Sequence, residues 1–195
     1  MERVVTVYTE ASPNPNSLKF VLNFNLLENT SIDYPSITDA GNCPLVKELF
    51  STFDFVERVF LAANFITITK SEAADWYEVS PAIREHIKNY LQEEKPLFTE
   101  AIKSSIEESP QHPQEADSDT VVKIKSLLDD YVRPAVEQDG GAISFHSYNE
   151  GVVKVLLQGS CSGCPSSTLT LKSGIENLLK RMMPDEINEV IAEGV

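Results

Sequence analysis

The chain has 195 residues, which is enough for one or two domains that each bury a hydrophobic core. Its formal net charge of -14 would repel a phosphate backbone over most of the surface, so we expect no nucleic-acid partner. No apolar run approaches the roughly 18 residues that span a bilayer, so we expect no membrane partner. The composition is that of an ordinary globular protein.

The first half of the chain alternates extended and helical patterns. Four strands are predicted from alternating apolar residues, at 3–9, 18–24, 55–62 and 64–69. One helix is predicted to begin at Pro44, because proline is favoured at the first helical position. A second helix is predicted from Ser80 and Pro81, as cap and first residue, to about Glu93. The order β-β-α-β-β-α fits a small antiparallel sheet covered by two helices.

A polar, acidic stretch with two prolines, SSIEESPQHPQEADSD, occupies residues 104–119. Such a segment buries too little apolar surface to offset the conformational entropy lost on ordering, so we predict a flexible linker. The linker divides the chain into a first domain, residues 1–103, and a second domain, residues 120–195. The predicted fold class is therefore α+β, with two small α+β domains.

The second domain begins with an amphipathic helical pattern. Its apolar face consists of Val121, Val122, Ile124, Leu127, Leu128, Tyr131 and Val132. We interpret Arg133 and Pro134 as the end of this helix, and the glycines of the DGG sequence at 139–141 as its termination. An alternative is that DGG is a functional turn. Strands at 143–148 and 152–157, a helix over about 166–182 and a strand at 186–192 complete the order α-β-β-α-β.

Three cysteines are present, and two of them form a CxxC motif in the stretch GSCSGCPSS. Cys161 and Cys164 follow a predicted strand and precede a predicted helix. Nearby glycines allow a tight turn, and a helix N-terminus favours negative charge, so both features lower a thiol pKa. Cys43 lies apart from this motif, and we interpret it as a small, half-buried residue.

Three chemistries are compatible with two such thiols. A thiol–disulfide switch is disfavoured because the flanking strands resemble an antiparallel hairpin without a βαβ unit. Structural zinc needs four ligands, so it would require a second chain. An iron–sulfur cluster held by four thiolates would also require two chains, and would be exposed and easily transferred. An incidental CxxC on a surface loop is the remaining alternative.

Motifs typical of nucleotide-dependent or hydrolytic enzymes are missing from the sequence. It contains neither GxxxxGK[ST] nor GxGxxG, and no arrangement of serine, histidine and aspartate can be argued from spacing. We therefore expect a binding protein and not an enzyme. The opening residues, MERVVTVYTE, resemble neither a secretory signal nor a transit peptide, so we expect a cytoplasmic location.

Longer stretches of the sequence resemble the NifU-like (Nfu) iron–sulfur scaffold family. In the second half these are YVRPAVEQDGGAISF, GVVKVLLQGSCSGCPSSTLTLKSGIENLLK and MMPDEINEV. In the first half they are SPNPNSLKF, CPLVKELF, VERVFLAANFITITK and DWYEVSPAIREHI, which resemble the N-terminal domain of some members. The resemblance covers nearly the whole chain except the linker.

This resemblance implies a carrier of a [4Fe-4S] cluster that bridges two subunits. Carried over to this sequence, the cluster ligands are Cys161 and Cys164 of each chain. The implied partners are a second copy of the chain when the cluster is bound, upstream assembly proteins as donors and apo-enzymes as recipients. The first domain, by the same resemblance, helps to dock targets. Ligand count alone does not separate a [2Fe-2S] from a [4Fe-4S] cluster.

Overall fold

The structure is a computed structural model that describes residues 4–28, 30–99, 118–161 and 165–194, with only the backbone of residues 165–167. Its contacts divide the chain into two compact units, Met1–Gln111 and His112–Val195. Residues 104–117 of the predicted linker lie outside the described residues. The last two residues of that stretch, Ser118 and Asp119, already belong to the first helix of the second unit, as its cap and first residue.

In its described residues, the first unit is a five-stranded antiparallel sheet with two helices. Its elements are β1 (Val7–Ala11), β2 (Ser17–Leu22), β3 (Ser31–Tyr34), a 3-10 turn (Asp39–Asn42), α1 (Pro44–Thr52), β4 (Val56–Ala62), β5 (Phe65–Lys70) and α2 (Trp76–Gln92). The strand order is β1-β2-β5-β4-β3, with every neighbouring pair antiparallel. Fully buried side chains of both helices, such as Leu49 and Ile83, share one core with Phe20 and Ile68 of the sheet.

Three details of the first unit differ from the prediction. The first strand, predicted at 3–9, is observed at Val7–Ala11. The strand β3 was not predicted, because four residues at a sheet edge give too short an alternation to recognise. The helix α2 begins at Trp76 and not at Ser80–Pro81. Its cap is Asp75, whose carboxylate accepts a hydrogen bond from the Tyr77 backbone N–H at 2.8 Å. Proline is therefore inside α2, near its start.

The second unit contains a three-stranded mixed sheet. Along the chain, helices precede and follow the hairpin formed by its first two strands. Its elements are α3 (Asp119–Leu127), a π-helical turn (Leu128–Val132), α4 (Arg133–Gln138), β6 (Gly141–Asn149), β7 (Val152–Gly159), α5 (Pro165–Met182) and β8 (Glu189–Gly194). The central strand β7 pairs antiparallel with β6 and parallel with β8. A separate core contains Ile124, Val155, Ile175, Leu179 and Val190.

The amphipathic helix of this unit ends at the DGG sequence, as predicted, but Arg133 and Pro134 do not mark its end. The helix passes through the π-helical turn and continues as α4 to Gln138. Pro134 lies in the first turn of α4, where its missing N–H is tolerated. The DGG sequence then follows α4 directly, with Asp139 as its C-cap.

The strand directions around the CxxC motif also differ from the prediction. Because β8 pairs in parallel with β7 and α5 connects them, β7-α5-β8 is a βαβ unit. The sequence indicated a strand before and after α5 but could not show in which direction they pair. The predicted lack of a βαβ unit is therefore wrong, and it does not disfavour a thiol–disulfide switch. No helix in the described part of the chain is long and apolar enough to span a membrane.

Candidate metal centre

The CxxC motif occupies the connection between β7 and α5. Cys161 lies two residues after Gly159, the last residue of β7, and α5 begins at Pro165. Cys164 lies outside the described residues. The first turn of α5 contains no acidic residue, so nothing in that turn offsets the partial positive charge of the helix N-terminus. A thiolate or an anionic cluster next to this turn is favoured electrostatically.

The side chain of Cys161 is buried, with only 5% of its surface exposed. It belongs to the same hydrophobic core as Val155 and Leu179. Its backbone carbonyl accepts a hydrogen bond from the Thr168 hydroxyl at 3.1 Å, which links the residue to α5. The predicted ligand Cys161 is therefore a buried residue of the core. Its position just after the end of a strand agrees with the prediction.

The DGG turn lies against this cysteine. The Ser160 hydroxyl donates a hydrogen bond of 2.6 Å to the Asp139 carbonyl, and the Ser160 backbone N–H donates one of 3.3 Å to the Gly140 carbonyl. Gly140 and Gly159 have φ values of 85° and 69°, the left-handed region in which glycine is favoured. The turn therefore follows the end of α4, as predicted, and is hydrogen-bonded to Ser160, which directly precedes Cys161.

Sequence reasoning missed Ser160 as part of this arrangement. Its side chain is 2% exposed, and its hydroxyl oxygen lies 3.8 Å from the Cys161 Sγ. The order Gly-Ser before the first cysteine was visible in the sequence, but its partner across the turn, Asp139, is 21 residues away. Within the described residues, no group of three or more histidine, cysteine, aspartate or glutamate side chains could hold a metal ion.

The third cysteine, Cys43, is in the first unit. It precedes α1 as the N-cap residue and is fully buried, not half-buried as predicted. Burial in the apolar core raises the pKa of its thiol to about 11, against the lowering effect of hydrogen bonds from the Val46 and Leu45 backbone and from Tyr34. The thiol is therefore protonated near neutral pH, and a protonated thiol is a poor metal ligand.

We expect the variant Cys43→Ser to bind as much iron and sulfide as the unchanged protein after anaerobic reconstitution. The reason is that Cys43 lies in the first unit, apart from the CxxC motif, and burial keeps its thiol protonated near neutral pH. The measurement is the iron and sulfide content per chain, with circular dichroism to check folding. A clear loss of iron in a folded variant would assign Cys43 a part in cluster handling.

Comparisons with known proteins identify both units. Residues 7–94 match the family model described as Scaffold protein Nfu/NifU N terminal, and residues 124–191 match the NifU-like domain. The chain is 41% identical over 185 residues to a protein of Drosophila willistoni named NFU1 iron-sulfur cluster scaffold homolog, mitochondrial. This match covers 94% of the chain and 62% of the relative.

A protein of the same name from Homo sapiens is 39% identical over 184 residues, covering 94% of the chain and 70% of that protein. Among solved structures, the solution NMR structure of a NifU-like protein from Saccharomyces cerevisiae matches with a TM-score of 0.45 and 23% identity. That match covers 50% of this chain and 87% of the yeast chain. The chain spans 62% of the length of the Drosophila relative and 70% of the length of the human relative.

These names also correct one expectation. Both relatives are named as mitochondrial proteins, which contradicts the cytoplasmic location expected from the opening residues. That expectation depended on where this chain begins, and the chain spans only 62% of the Drosophila relative. With a family model matched in each unit and relatives of about 40% identity along nearly the whole chain, the chain belongs to the Nfu family of iron–sulfur cluster scaffold proteins.

Proposed function

We propose that the chain carries a [4Fe-4S] cluster bridged between two copies and delivers it to apo-proteins. The ligands are Cys161 and Cys164 of each copy, which together supply the four thiolates that a cubane cluster needs. The observation that carries this proposal is the position of the CxxC motif between β7 and the N-terminus of α5, in a unit that matches the NifU-like domain. The cluster is cargo, so the protein acts as a carrier and not as an enzyme.

The arrangement around the motif suits temporary binding. Each copy contributes two sulfur ligands, and the positive end of α5 favours the negative charge of a thiolate-bound cluster. A cluster held at the junction of two chains is more accessible to an acceptor than one enclosed by a single chain. Recipient apo-proteins and an upstream donor are therefore the proposed partners, alongside a second copy of the chain.

The two units have different proposed roles. The second unit, residues 120–195 in our division, holds the cluster, and the first, residues 1–103, docks target proteins. Residues 104–119 connect them as a linker. A mitochondrial location is proposed from the names of the relatives.

Thiol–disulfide exchange is the second candidate function. It is favoured by the βαβ unit, because a CxxC motif that follows a strand and opens a helix is also the arrangement of thioredoxin-like oxidoreductases. Cys161 is buried, so its thiol must become accessible for thiol exchange, as it must for cluster binding. The two candidates predict different products when the reduced protein is offered iron and sulfide.

Anaerobic reconstitution followed by Mössbauer spectroscopy tests the proposal. We expect four iron and four sulfide ions per pair of chains, a [4Fe-4S] spectrum and a larger particle by size-exclusion chromatography than the cluster-free protein. A cluster-loaded protein that stays monomeric would contradict the bridged arrangement. Zinc without iron or sulfide would instead indicate a zinc-bridged dimer, and a Cys161–Cys164 disulfide with turnover in a disulfide-reduction assay would indicate the oxidoreductase.

A further inference from the structure

Gly141, the first residue of β6, lies where its lack of a side chain makes room for a sulfur atom. A Cβ atom built on Gly141 would lie 2.9 Å from the Cys161 Sγ and 3.3 Å from the Cys161 Cβ. Both distances are shorter than ordinary van der Waals contact, so the thiol occupies the space that any other residue at 141 would fill. The same Cβ would lie 2.6 Å from the Gln158 carbonyl oxygen.

Backbone conformation does not explain this glycine. Gly140 and Gly159, its neighbours in the chain and across the ladder, have positive φ values, but Gly141 does not. An L-residue could therefore adopt the backbone angles of Gly141 without left-handed strain. The requirement for glycine comes instead from the close approach of Cys161 and of the neighbouring strand.

The backbone on both sides of the sulfur is fixed by hydrogen bonds. Ser160 is anchored to the carbonyl groups of Asp139 and Gly140, and the Cys161 carbonyl accepts the Thr168 hydroxyl. With the main chain held in this way, a side chain at position 141 could be accommodated only by displacing both the thiol and the closer Gln158 carbonyl. The position of the sulfur is thus coupled to the size of residue 141.

We propose that Gly141 is a positioning residue for Cys161, and that its missing side chain forms the niche that seats the thiol in the cluster-free chain. The inference rests on the proposed function only in treating Cys161 as a cluster ligand. Residues behind a metal ligand typically change metal affinity about 10- to 100-fold when they are replaced, because they fix the orientation of the ligand. An alanine at 141 displaces the sulfur from this seat and weakens the hold on the cluster.

The first test measures thiol reactivity without any cluster. Cluster-free, reduced protein is treated with N-ethylmaleimide, and the modification of each cysteine is followed by peptide mass spectrometry. We expect Gly141→Ala to increase the rate at Cys161 by at least about tenfold, because the displaced thiol samples solvent more often. Cys43, which is buried in the other unit, serves as the internal control and keeps its rate.

Gly174→Ala is the matched control variant. Gly174 is exposed on α5, and a Cβ built there meets no atom within 4 Å. The same glycine-to-alanine change at this position leaves the Cys161 rate unchanged. An unchanged Cys161 rate in folded Gly141→Ala as well would overturn the proposal.

A double-mutant cycle separates the niche from the clash with Gln158. Stability is measured by urea unfolding for Gly141→Ala, Cys161→Ala and the double variant. If the sulfur occupies the niche, its removal relieves the strain that Gly141→Ala introduces. We then expect the equilibrium constant of unfolding of the double variant to differ from the additive expectation by at least about twofold. Additive effects on the free energy of unfolding would assign the strain to the contact with the Gln158 carbonyl and overturn the proposal.

Folding outcomes are also informative. A double variant that folds when Gly141→Ala alone does not would be the strongest form of coupling and would support the niche. If neither folds, the Gln158 carbonyl and not Cys161 decides which residue fits at 141, and the proposal is wrong.

Cluster retention links the niche to function. Reconstituted protein is challenged with an iron chelator, and we expect the cluster of Gly141→Ala to be lost roughly tenfold faster than that of Gly174→Ala. Equal loss rates would show that Gly141 does not position the ligand.

If the unchanged protein binds no cluster but the alkylation and stability results hold, the proposed function fails and the niche stands. If it binds a cluster and those results do not hold, the niche fails and the function stands.

Discussion

We expect that replacing either of the proposed ligands, Cys161 or Cys164, by serine reduces bound iron after reconstitution to below about a tenth of that in the unchanged protein. Each variant removes one thiolate from each copy and therefore leaves a bridged cluster with two of its four sulfur ligands. A serine hydroxyl does not ionise near neutral pH and is a much weaker iron ligand than a thiolate. We expect the loss of a direct ligand to lower cluster affinity by more than the 10- to 100-fold typical of replacing a residue that contacts a ligand.

The measurement is iron and sulfide content together with the Mössbauer spectrum, and size-exclusion chromatography of the reconstituted samples. Cys43→Ser is the matched control, because it makes the same substitution at a buried thiol in the other unit. Circular dichroism verifies folding, which matters most for Cys161 because its side chain is part of the core. A Cys164→Ser variant with a full [4Fe-4S] complement would contradict the four-thiolate site.

The variant Leu179→Ala is expected to destabilise the second unit by about 2–5 kcal/mol, the range for a buried leucine replaced by alanine. Leu179 lies on α5 and is fully buried in the core that also contains Ile175 and Val190. Single domains are commonly stable by only about 5–15 kcal/mol, so the loss is a large share of the total. Urea unfolding followed by far-ultraviolet circular dichroism measures it.

Two features of the chain sharpen this experiment. Leu169→Ala is the matched control, because Leu169 lies on the same helix with 65% of its surface exposed, and we expect a change within about 0.5 kcal/mol. Trp76, the single tryptophan, belongs to the first unit, so its fluorescence reports the unfolding of that unit alone. A Leu179→Ala variant that shifts the Trp76 transition as much as the circular dichroism transition would contradict separate cores.

The sequence predicted most elements because their signals were local. Pro44 begins α1 as expected, since a proline at the first helical position acts through its own fixed φ. The same rule failed at Pro81, where the carboxylate of Asp75 provides a cap several residues earlier. The parallel pairing of β8 with β7 depends on a contact between distant segments, and no local pattern encodes it.

The candidate site also combines features with a local sequence signal and features that depend on contacts between distant segments. The CxxC motif and the glycines around it were visible as a pattern, and the resemblance of long stretches to the Nfu family was confirmed by both family models. The packing of Gly141 against Cys161 was not visible, because it joins residues 20 positions apart through the register of β6 and β7. A spacing pattern identifies which residues can bind, but only packing shows what limits their movement.

The burial of Cys161 bears on how long an empty carrier survives. Exposed thiolates are steadily converted to sulfenic and then to irreversible sulfinic and sulfonic acids, at rates that follow accessibility. A carrier passes through its empty state after every delivery, so damage would accumulate with use. In the proposed carrier cycle, Cys161, with 5% of its surface exposed, would be shielded from such oxidants during each interval between cargoes.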